Sequence, residues 1–186
     1  MRPLISSRDI PLIDQRAGTT RDCRNDGGDA VTWTIETIRE AAVAPADVFR
    51  LYADPLTWSE WGHNATWARA DGRLVQGGTV DVRANYGKVY PCRIRRLVAD
   101  RALELEVRTP LFVVIQTYEV EARPDGARVR HALQLSGRLS GILRLGAKWL
   151  YQRLLNREVE KVIELASARS DPGAGQSTSG VAPTAS

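Results

Sequence analysis

The sequence predicts an α+β fold in which a curved seven-stranded antiparallel sheet wraps around a long C-terminal helix, with two short helices after the first strand. Residues 30–40 alternate apolar and polar side chains, and six further strand-like segments follow between residues 65 and 137. Short turns separate these segments, among them Asp125-Gly126, which favours an antiparallel meander. Residues 138–168 carry the broad apolar stripe of an amphipathic helix, and only such a helix can cover one face of the sheet.

The two short helices are predicted between residues 43 and 61. Pro45 suits a first helical turn, and the apolar residues after it form a short stripe. Asp54-Pro55 ends this helix, and the next segment places Trp58 and Trp61 three residues apart, on one face of a second short helix.

Composition predicts one folded domain with two unstructured ends. The chain has 186 residues and is 43% hydrophobic, enough for one core. Residues 1–28 are polar and charged, which predicts a flexible arm, and residues 169–186 are rich in Gly, Ser and Pro, which predicts a disordered tail. The folded unit is expected at 29–168. No apolar run is long enough to span a membrane and no secretory signal is recognisable, so we expect a cytoplasmic protein.

Several classes of function are disfavoured. The net charge is +4, but the arginines are spread along the chain apart from Arg93, Arg95 and Arg96, so nucleic-acid binding is not expected. The cysteines, Cys23 and Cys92, form no metal-binding spacing, and the histidines are not paired, so no metal is expected. Phosphate loops, dinucleotide fingerprints and nucleophile elbows are missing from the sequence, which predicts that no cofactor is needed.

Strand parity predicts which side chains face the helix, because alternate residues of a strand point to opposite faces. The polar members of this inward set are Tyr86, Tyr90, Gln116, Tyr118 and His131. Its apolar members are Cys92, Phe112, Val114 and Leu133, and Leu150 belongs to the facing helix stripe. Leu97 breaks the alternation of its strand, which predicts a β-bulge near Arg95-Arg96.

The inward polar groups suggest acid–base chemistry on a carbonyl compound. His131 has the residue type for a general acid or base near neutral pH, and Tyr118 and Gln116 can hydrogen-bond an enol or carbonyl oxygen. This set suits cofactor-free cyclisation or dehydration. The alternative is that His131 is a hydrogen-bonded core residue. A pair of catalytic carboxylates is not expected, because the acidic residues, including Glu158, fall on outward strand positions or on solvated helix edges.

Several segments together resemble a known superfamily. They are A-P-x-x-V-F and D-P-x-x-W-x-x-W within residues 44–61, GGTVDV at 77–82, RPDGARVRHALQLSG at 123–137, and the long terminal helix. Over residues 30–168 the chain resembles the START-like helix-grip superfamily (SRPBCC, Bet v 1-like), in its polyketide cyclase/dehydrase branch. The resemblance implies a helix-grip fold with an internal cavity. Members of this superfamily include aromatase/cyclases and carriers of lipids and hormones.

The resemblance places Trp58, Trp61 and His63 where the family closes one end of its cavity; alternatively, the tryptophans only pack the short helices onto the sheet. We expect a hydrophobic small molecule, polyketide- or lipid-like, to bind. Two functions remain open: an enzyme that cyclises or dehydrates this molecule, and a non-catalytic carrier or sensor. A third interpretation is a membrane-surface or protein-interaction module that uses the basic arm and Arg93, Arg95 and Arg96.

Overall fold

The structure is a computed structural model that describes residues 32–137 and 140–170, without the side chains of 141–146. The predicted arm, and the predicted tail from residue 171 onward, lie outside the described residues. The elements are β1 (Trp33–Ala41), α1 (Pro45–Ala53), a 3-10 turn (Pro55–Thr57), α2 (Trp58–Trp61), β2 (Ala65–Ala70), β3 (Thr79–Ala84), β4 (Val89–Val98), β5 (Ala102–Arg108), β6 (Val113–Arg123), β7 (Gly126–Ser136) and α3 (Ser140–Ser170).

The strands form one antiparallel sheet in the order β1-β7-β6-β5-β4-β3-β2. Strands β2 to β7 are a meander, and β1 pairs with β7 at the far edge. The pairing of β4 with β5 shifts register between Ile94 and Arg96, which confirms the predicted bulge. The predicted fold class is therefore confirmed.

Because consecutive strands are antiparallel, the sheet has two distinct ends. One carries the β3–β4 turn, the β5–β6 turn and the end of β7, and we call it the β3–β4 end. The other carries the β2–β3, β4–β5 and β6–β7 connections, and we call it the β6–β7 end. The two ends are distinguished because the segments that connect the strands at each end contain different charged residues.

The β6–β7 hairpin that Asp125-Gly126 predicts is present, and its two turn residues are Pro124 and Asp125. Gly126 begins β7 with a φ of +141°. A Cβ atom at this position would lie 2.1 Å from the carbonyl oxygen of Ala41. Glycine is therefore needed for the close approach to the end of β1, as well as for its backbone angle.

Helix α3 packs into the core along its second half. Leu155, Val159 and Val162 lie in the core, whereas Trp149 and Leu150 are 70% and 45% exposed. The helix lies against β1 and β7 and against the short helices, not against β3 to β5. In the described part of the chain, no helix is long and apolar enough to cross a membrane.

Polar contacts fix α3 along the β1 edge. The indole N–H of Trp33 donates to the carbonyl of Ser140 at 2.8 Å, near the start of the helix. Further along, the amide of Gln152 donates to the carbonyl of Glu36 at 2.9 Å, and the hydroxyl of Thr37 donates to Oδ1 of Asn156 at 2.6 Å. The position of the helix above the sheet is therefore defined by directional bonds as well as by packing.

Candidate ligand-binding site

Both histidines of the chain meet one buried carboxylate. Glu158 of α3 is 6% exposed, and its two oxygens face His63, in the α2–β2 loop, and His131, in β7. The sequence analysis placed Glu158 on a solvated helix edge, and this was wrong. Glu158 follows Leu155 by three positions and precedes Val162 by four, so it lies on the buried stripe of the helix.

His63 is the partner of the carboxylate on the solvent side. Its Nδ1 lies 2.5 Å from Oε1 of Glu158, and its backbone N–H donates to the same oxygen at 3.3 Å. The His63 side chain is 30% exposed, whereas that of Glu158 is 8% exposed. His63 thus links the buried acid to the surface.

His131 is enclosed, with 2% of its side chain exposed. Its Nε2 lies 2.7 Å from the hydroxyl of Tyr52, and its Nδ1 lies 3.7 Å from Oε2 of Glu158. The second distance exceeds a hydrogen bond, and Nδ1 has no hydrogen-bond partner among the described residues. Burial, with the charge of Glu158, raises the pKa of Tyr52 well above its usual value, so its hydroxyl keeps its proton. In the tautomer that carries its proton on Nδ1, toward Glu158, Nε2 accepts the hydrogen bond from this hydroxyl.

The pKa of Glu158 reflects two opposing effects. Burial acts to raise it, but the interactions with His131 and His63 outweigh burial and lower the pKa to about 2. The carboxylate is therefore ionised at neutral pH. A buried charge of this kind is tolerated only when polar partners surround it, and the two imidazoles provide them.

Aromatic rings surround this polar cluster. The ring of Tyr118 stands perpendicular to that of His131 at a centroid distance of 4.8 Å, and the ring of Trp61 lies 6.0 Å from it. Trp58 is 4% exposed and donates its indole N–H to the carbonyl of Tyr52 at 3.1 Å. Both tryptophans pack the short helices onto the sheet.

Most residues predicted to face inward share one face of the sheet. The hydroxyl of Tyr118 donates to Oε1 of Gln116 at 3.2 Å, beside the histidine cluster. Cys92 and Leu133 are buried, whereas Tyr90, Phe112 and Val114 are half-buried.

Two predicted positions need correction. Tyr86 is 64% exposed, because β3 ends at Ala84 and strand parity does not extend into the following turn. Its hydroxyl donates to that of Tyr90 at 2.7 Å. Leu150 is 45% exposed, so it does not belong to the buried stripe that Leu155, Val159 and Val162 form.

The half-buried inner positions adjoin one another. Val114 pairs with Val107, which pairs with Cys92 in the next strand, and Val82 pairs with Tyr90. Because α3 lies over β1 and β7, this surface is only partly covered. We call it the inner-face cleft, and we define it by Val82, Tyr90, Val107, Val114 and Gln116.

Tyr151 of α3 lies at the same end of the sheet as the β3–β4 turn. The hydrogen bond to Tyr90, and to a lesser degree burial and the charges of Tyr90 and Tyr151 of α3, raise the pKa of Tyr86 to about 12. Tyr151 thus lies close enough to the β3–β4 turn to influence Tyr86. The cleft is bounded by the sheet, by this turn and by α3.

Two cavities, of about 410 and 320 Å³, lie instead on the outer face of the sheet. The larger is lined by Arg93, Arg95 and Arg108 around Glu106, and the smaller also has charged walls. These cavities do not adjoin the histidine cluster. Neither of them is the internal cavity that the sequence predicts, and that cavity stays a prediction.

The family model for polyketide cyclase/dehydrase and lipid transport proteins matches residues 17–166. The chain therefore belongs to this family, and the match includes every strand and nearly all of α3. Comparison with curated proteins gave no sequence match.

Solved structures share the fold at low sequence identity. A point mutant of norcoclaurine synthase from Thalictrum flavum, in complex with a transition-state analogue, aligns with a TM-score of 0.60 and 12% identity over 77% of this chain and 99% of that one. The di-domain aromatase/cyclase StfQ of the steffimycin biosynthetic pathway aligns with a TM-score of 0.58 and 14% identity over 75% and 52%. A Rhizobium loti protein aligns with a TM-score of 0.56 and 20% identity over 72% and 99%. At these identities the comparisons establish the fold.

Sequence reasoning missed two members of the histidine cluster, Tyr52 and Glu158. The signal for Glu158 was its helical spacing from Leu155 and Val162, which the charged neighbours in sequence obscured. Tyr52 was recognised as part of an apolar stripe, but its hydroxyl requires a buried partner, and His131 is that partner.

Proposed function

We propose that the protein binds a hydrophobic small molecule, polyketide- or lipid-like, in the inner-face cleft. The observation that carries this proposal is the half-buried apolar floor formed by Val82, Val107 and Val114 on the helix side of the sheet. Covering apolar surface releases about 25 cal/mol per Å², so a ligand that covers this floor binds favourably. Membership of a family described by polyketide and lipid ligands supports the same class of molecule.

The polar end of such a ligand has a natural place beside Tyr118 and Gln116. Burial raises the pKa of Tyr118 well above its usual value, so the side chain remains a hydrogen-bond donor. Its hydroxyl now donates to Gln116, and a carbonyl oxygen of a ligand can take the place of that acceptor. The proposed ligand is therefore an apolar molecule with at least one carbonyl group.

In the catalytic form of the proposal, His131 is the acid–base group. Its Nε2 accepts a proton from the carbon next to a ligand carbonyl, and the resulting enolate, held by Tyr118 and Gln116, attacks a second carbonyl to form the ring bond. The same proton then returns to the alkoxide oxygen and gives a hydroxyl group. Nε2 next takes a second proton from the carbon next to the carbonyl and passes it to this hydroxyl, which leaves as water as the C–O bond breaks and a carbon–carbon double bond forms. Each step uses only groups of this chain and the ligand.

One observation favours a non-catalytic carrier. His131 is 1% exposed, and its Nε2 is already bonded to Tyr52, so a ligand in the cleft reaches it only if Tyr52 or Tyr118 moves. A carrier needs only the cleft and not the acid–base group.

Binding is tested with parinaric acid, a fluorescent polyunsaturated fatty acid. Val114→Thr changes little volume but places a hydroxyl on the cleft floor, and we expect roughly fivefold weaker binding. Val113→Thr is the matched control, since Val113 is the preceding residue and faces the other side of the sheet. Equal affinity in both variants would exclude the cleft as the site.

Catalysis is tested with a linear triketone, followed by mass spectrometry for loss of water. If the protein is an enzyme, Tyr118→Phe retains binding of parinaric acid but loses most turnover, by a factor on the order of a hundred. If the wild type converts no more triketone than buffer does while it binds parinaric acid, the protein is a carrier.

A further inference from the structure

The two ends of the sheet differ in charge. At the β3–β4 end, the described stretches 83–90, 108–113 and 147–153 contain five basic residues and no acidic residue. The basic residues are Arg83, Lys88, Arg108, Lys148 and Arg153. At the β6–β7 end, each of the three connections within the sheet contains an aspartate, and two of them also contain an arginine. The aspartates are Asp71, Asp100 and Asp125, and the arginines are Arg73 and Arg101.

The segment 147–153 belongs to the β3–β4 end by its contacts. The ring of Tyr151 lies 6.1 Å from that of Trp33, where β1 begins, and Tyr151 influences Tyr86 of the β3–β4 turn electrostatically. Segment 147–153 and the β3–β4 turn thus lie at the same end of the sheet.

Large apolar side chains are exposed at the same end of the sheet. In α3, Trp149 is 70% exposed and Leu150 is 45% exposed. Tyr86 of the β3–β4 turn is 64% exposed, and Val89 at the start of β4 is 43% exposed. Leu111 of the β5–β6 turn is 49% exposed. These residues come from three separate segments. All three segments lie at the β3–β4 end of the sheet, and we call these residues the apolar rim.

Cations accompany these rings. The ammonium of Lys88 lies 5.1 Å from the ring centre of Tyr90, and the guanidinium of Arg153 lies 5.9 Å from that of Trp149. Tryptophan and tyrosine rings with lysine and arginine beside them suit the boundary between lipid tails and head groups, where the ring meets an apolar phase and the cation meets phosphate.

We propose that the β3–β4 end docks on an anionic lipid bilayer through the apolar rim and its five cations. A bilayer fits better than a folded partner, because residues spread over three segments need a surface that deforms to meet them. Cations near such a surface each contribute to binding. Arg108 is already paired with Glu106 of β5, so the other four cations carry most of this attraction. Docking would open the inner-face cleft toward the lipid phase. The proposal does not depend on the proposed ligand, since docking occurs with an empty cleft.

The test is co-sedimentation of the full chain with phosphatidylcholine vesicles, with and without phosphatidylglycerol. We expect binding to the anionic vesicles only, and weaker binding as salt increases. The double variant Lys88→Gln, Lys148→Gln should bind the anionic vesicles about 25-fold more weakly than the wild type, which is roughly fivefold for each cation removed. Trp149→Ser should weaken binding by about tenfold. The side chains of all three residues are exposed, so the variants should fold, and circular dichroism checks this.

The matched control is the double variant Arg73→Gln, Val75→Ser in the β2–β3 connection, at the opposite end of the sheet. Both residues are exposed, and this variant should bind like the wild type. The proposal is overturned if the wild type does not bind anionic vesicles, or if the rim variants bind as well as the wild type. It is also overturned if the rim substitutions instead dissociate a dimer seen by light scattering, since the rim would then be an interface between two copies.

Discussion

Oxygen Oε1 of Glu158 lies 2.5 Å from Nδ1 of His63, although the two residues are 95 positions apart in the chain. This contact joins the long helix to the loop that leads into β2. On its other side Glu158 faces His131 of β7, so one ionised side chain connects helix, loop and sheet. We therefore expect the stability of the fold to depend on this group.

The first prediction concerns acid stability. The pKa of Glu158 is about 2 in the folded protein, against an ordinary value of 4.5. The unfolded chain therefore binds the proton more readily, so the stabilisation is complete above pH 4.5 and is lost as the pH falls toward 2. The loss is on the order of 3 kcal/mol. Urea titrations across this pH range measure it.

Glu158→Gln should remove the part of the folding stability that is lost between pH 4.5 and 2, and the variant should be less stable than the wild type at pH 7. Glu160→Gln is the matched control, because the side chain of Glu160 is 62% exposed and its ion pair with Arg39 is long, at 3.8 Å. If both variants lose stability with acid as the wild type does, the carboxylate of Glu158 does not have the role described.

The second prediction concerns the hydroxyl of Tyr52. Tyr52→Phe keeps the packing of the ring but leaves Nε2 of His131 buried without a partner. The expected cost is about 1–3 kcal/mol in the free energy of unfolding, measured by urea titration. Tyr86→Phe, which removes a hydroxyl in an exposed pair, should change the free energy by much less. Similar losses in both variants would show that burial of the Tyr52–His131 bond is unimportant.

Most of the fold could be predicted from the sequence, because strands and helix have simple periodicities. The bulge at Arg95-Arg96 could also be predicted, since Leu97 lies out of phase with the strand before it. The cluster around Glu158 could not, because its members lie on four elements and Glu158 has charged neighbours in sequence. Tyr86 was misplaced because parity was extended past the end of β3. These errors arise where tertiary position, and not local pattern, decides burial.

The third prediction concerns the thiol of Cys92. Burial, with a smaller contribution from Asp81, raises its pKa to about 12, and the residue is 4% exposed. In a Cys23→Ser background, a disulfide reagent at pH 8 should therefore react with the native protein very slowly and with the urea-unfolded protein at once. Absorbance of the released thiol measures the rate. Rapid reaction of the native protein would show that the inner face at Cys92 is open to solvent.

The fourth prediction separates close packing from backbone strain at two glycines. Gly126 and Gly72 both have positive φ angles, but a Cβ at Gly126 would clash with Ala41, whereas one at Gly72 would meet nothing within 4 Å. Gly72→Ala should cost about 1 kcal/mol, and Gly126→Ala several kcal/mol. Thermal unfolding compares them. Equal losses would mean that β1 and the β6–β7 hairpin do not meet as described.

The most direct test of the central claim is a methyl NMR titration of the protein with parinaric acid. If the ligand binds in the inner-face cleft, the methyl signals of Val82, Val107 and Val114 shift together, while those of Val113 and Ile115, which face outward on the same strand as Val114, do not. Shifts confined to the outward methyls, or no shifts at saturating ligand, would contradict the account.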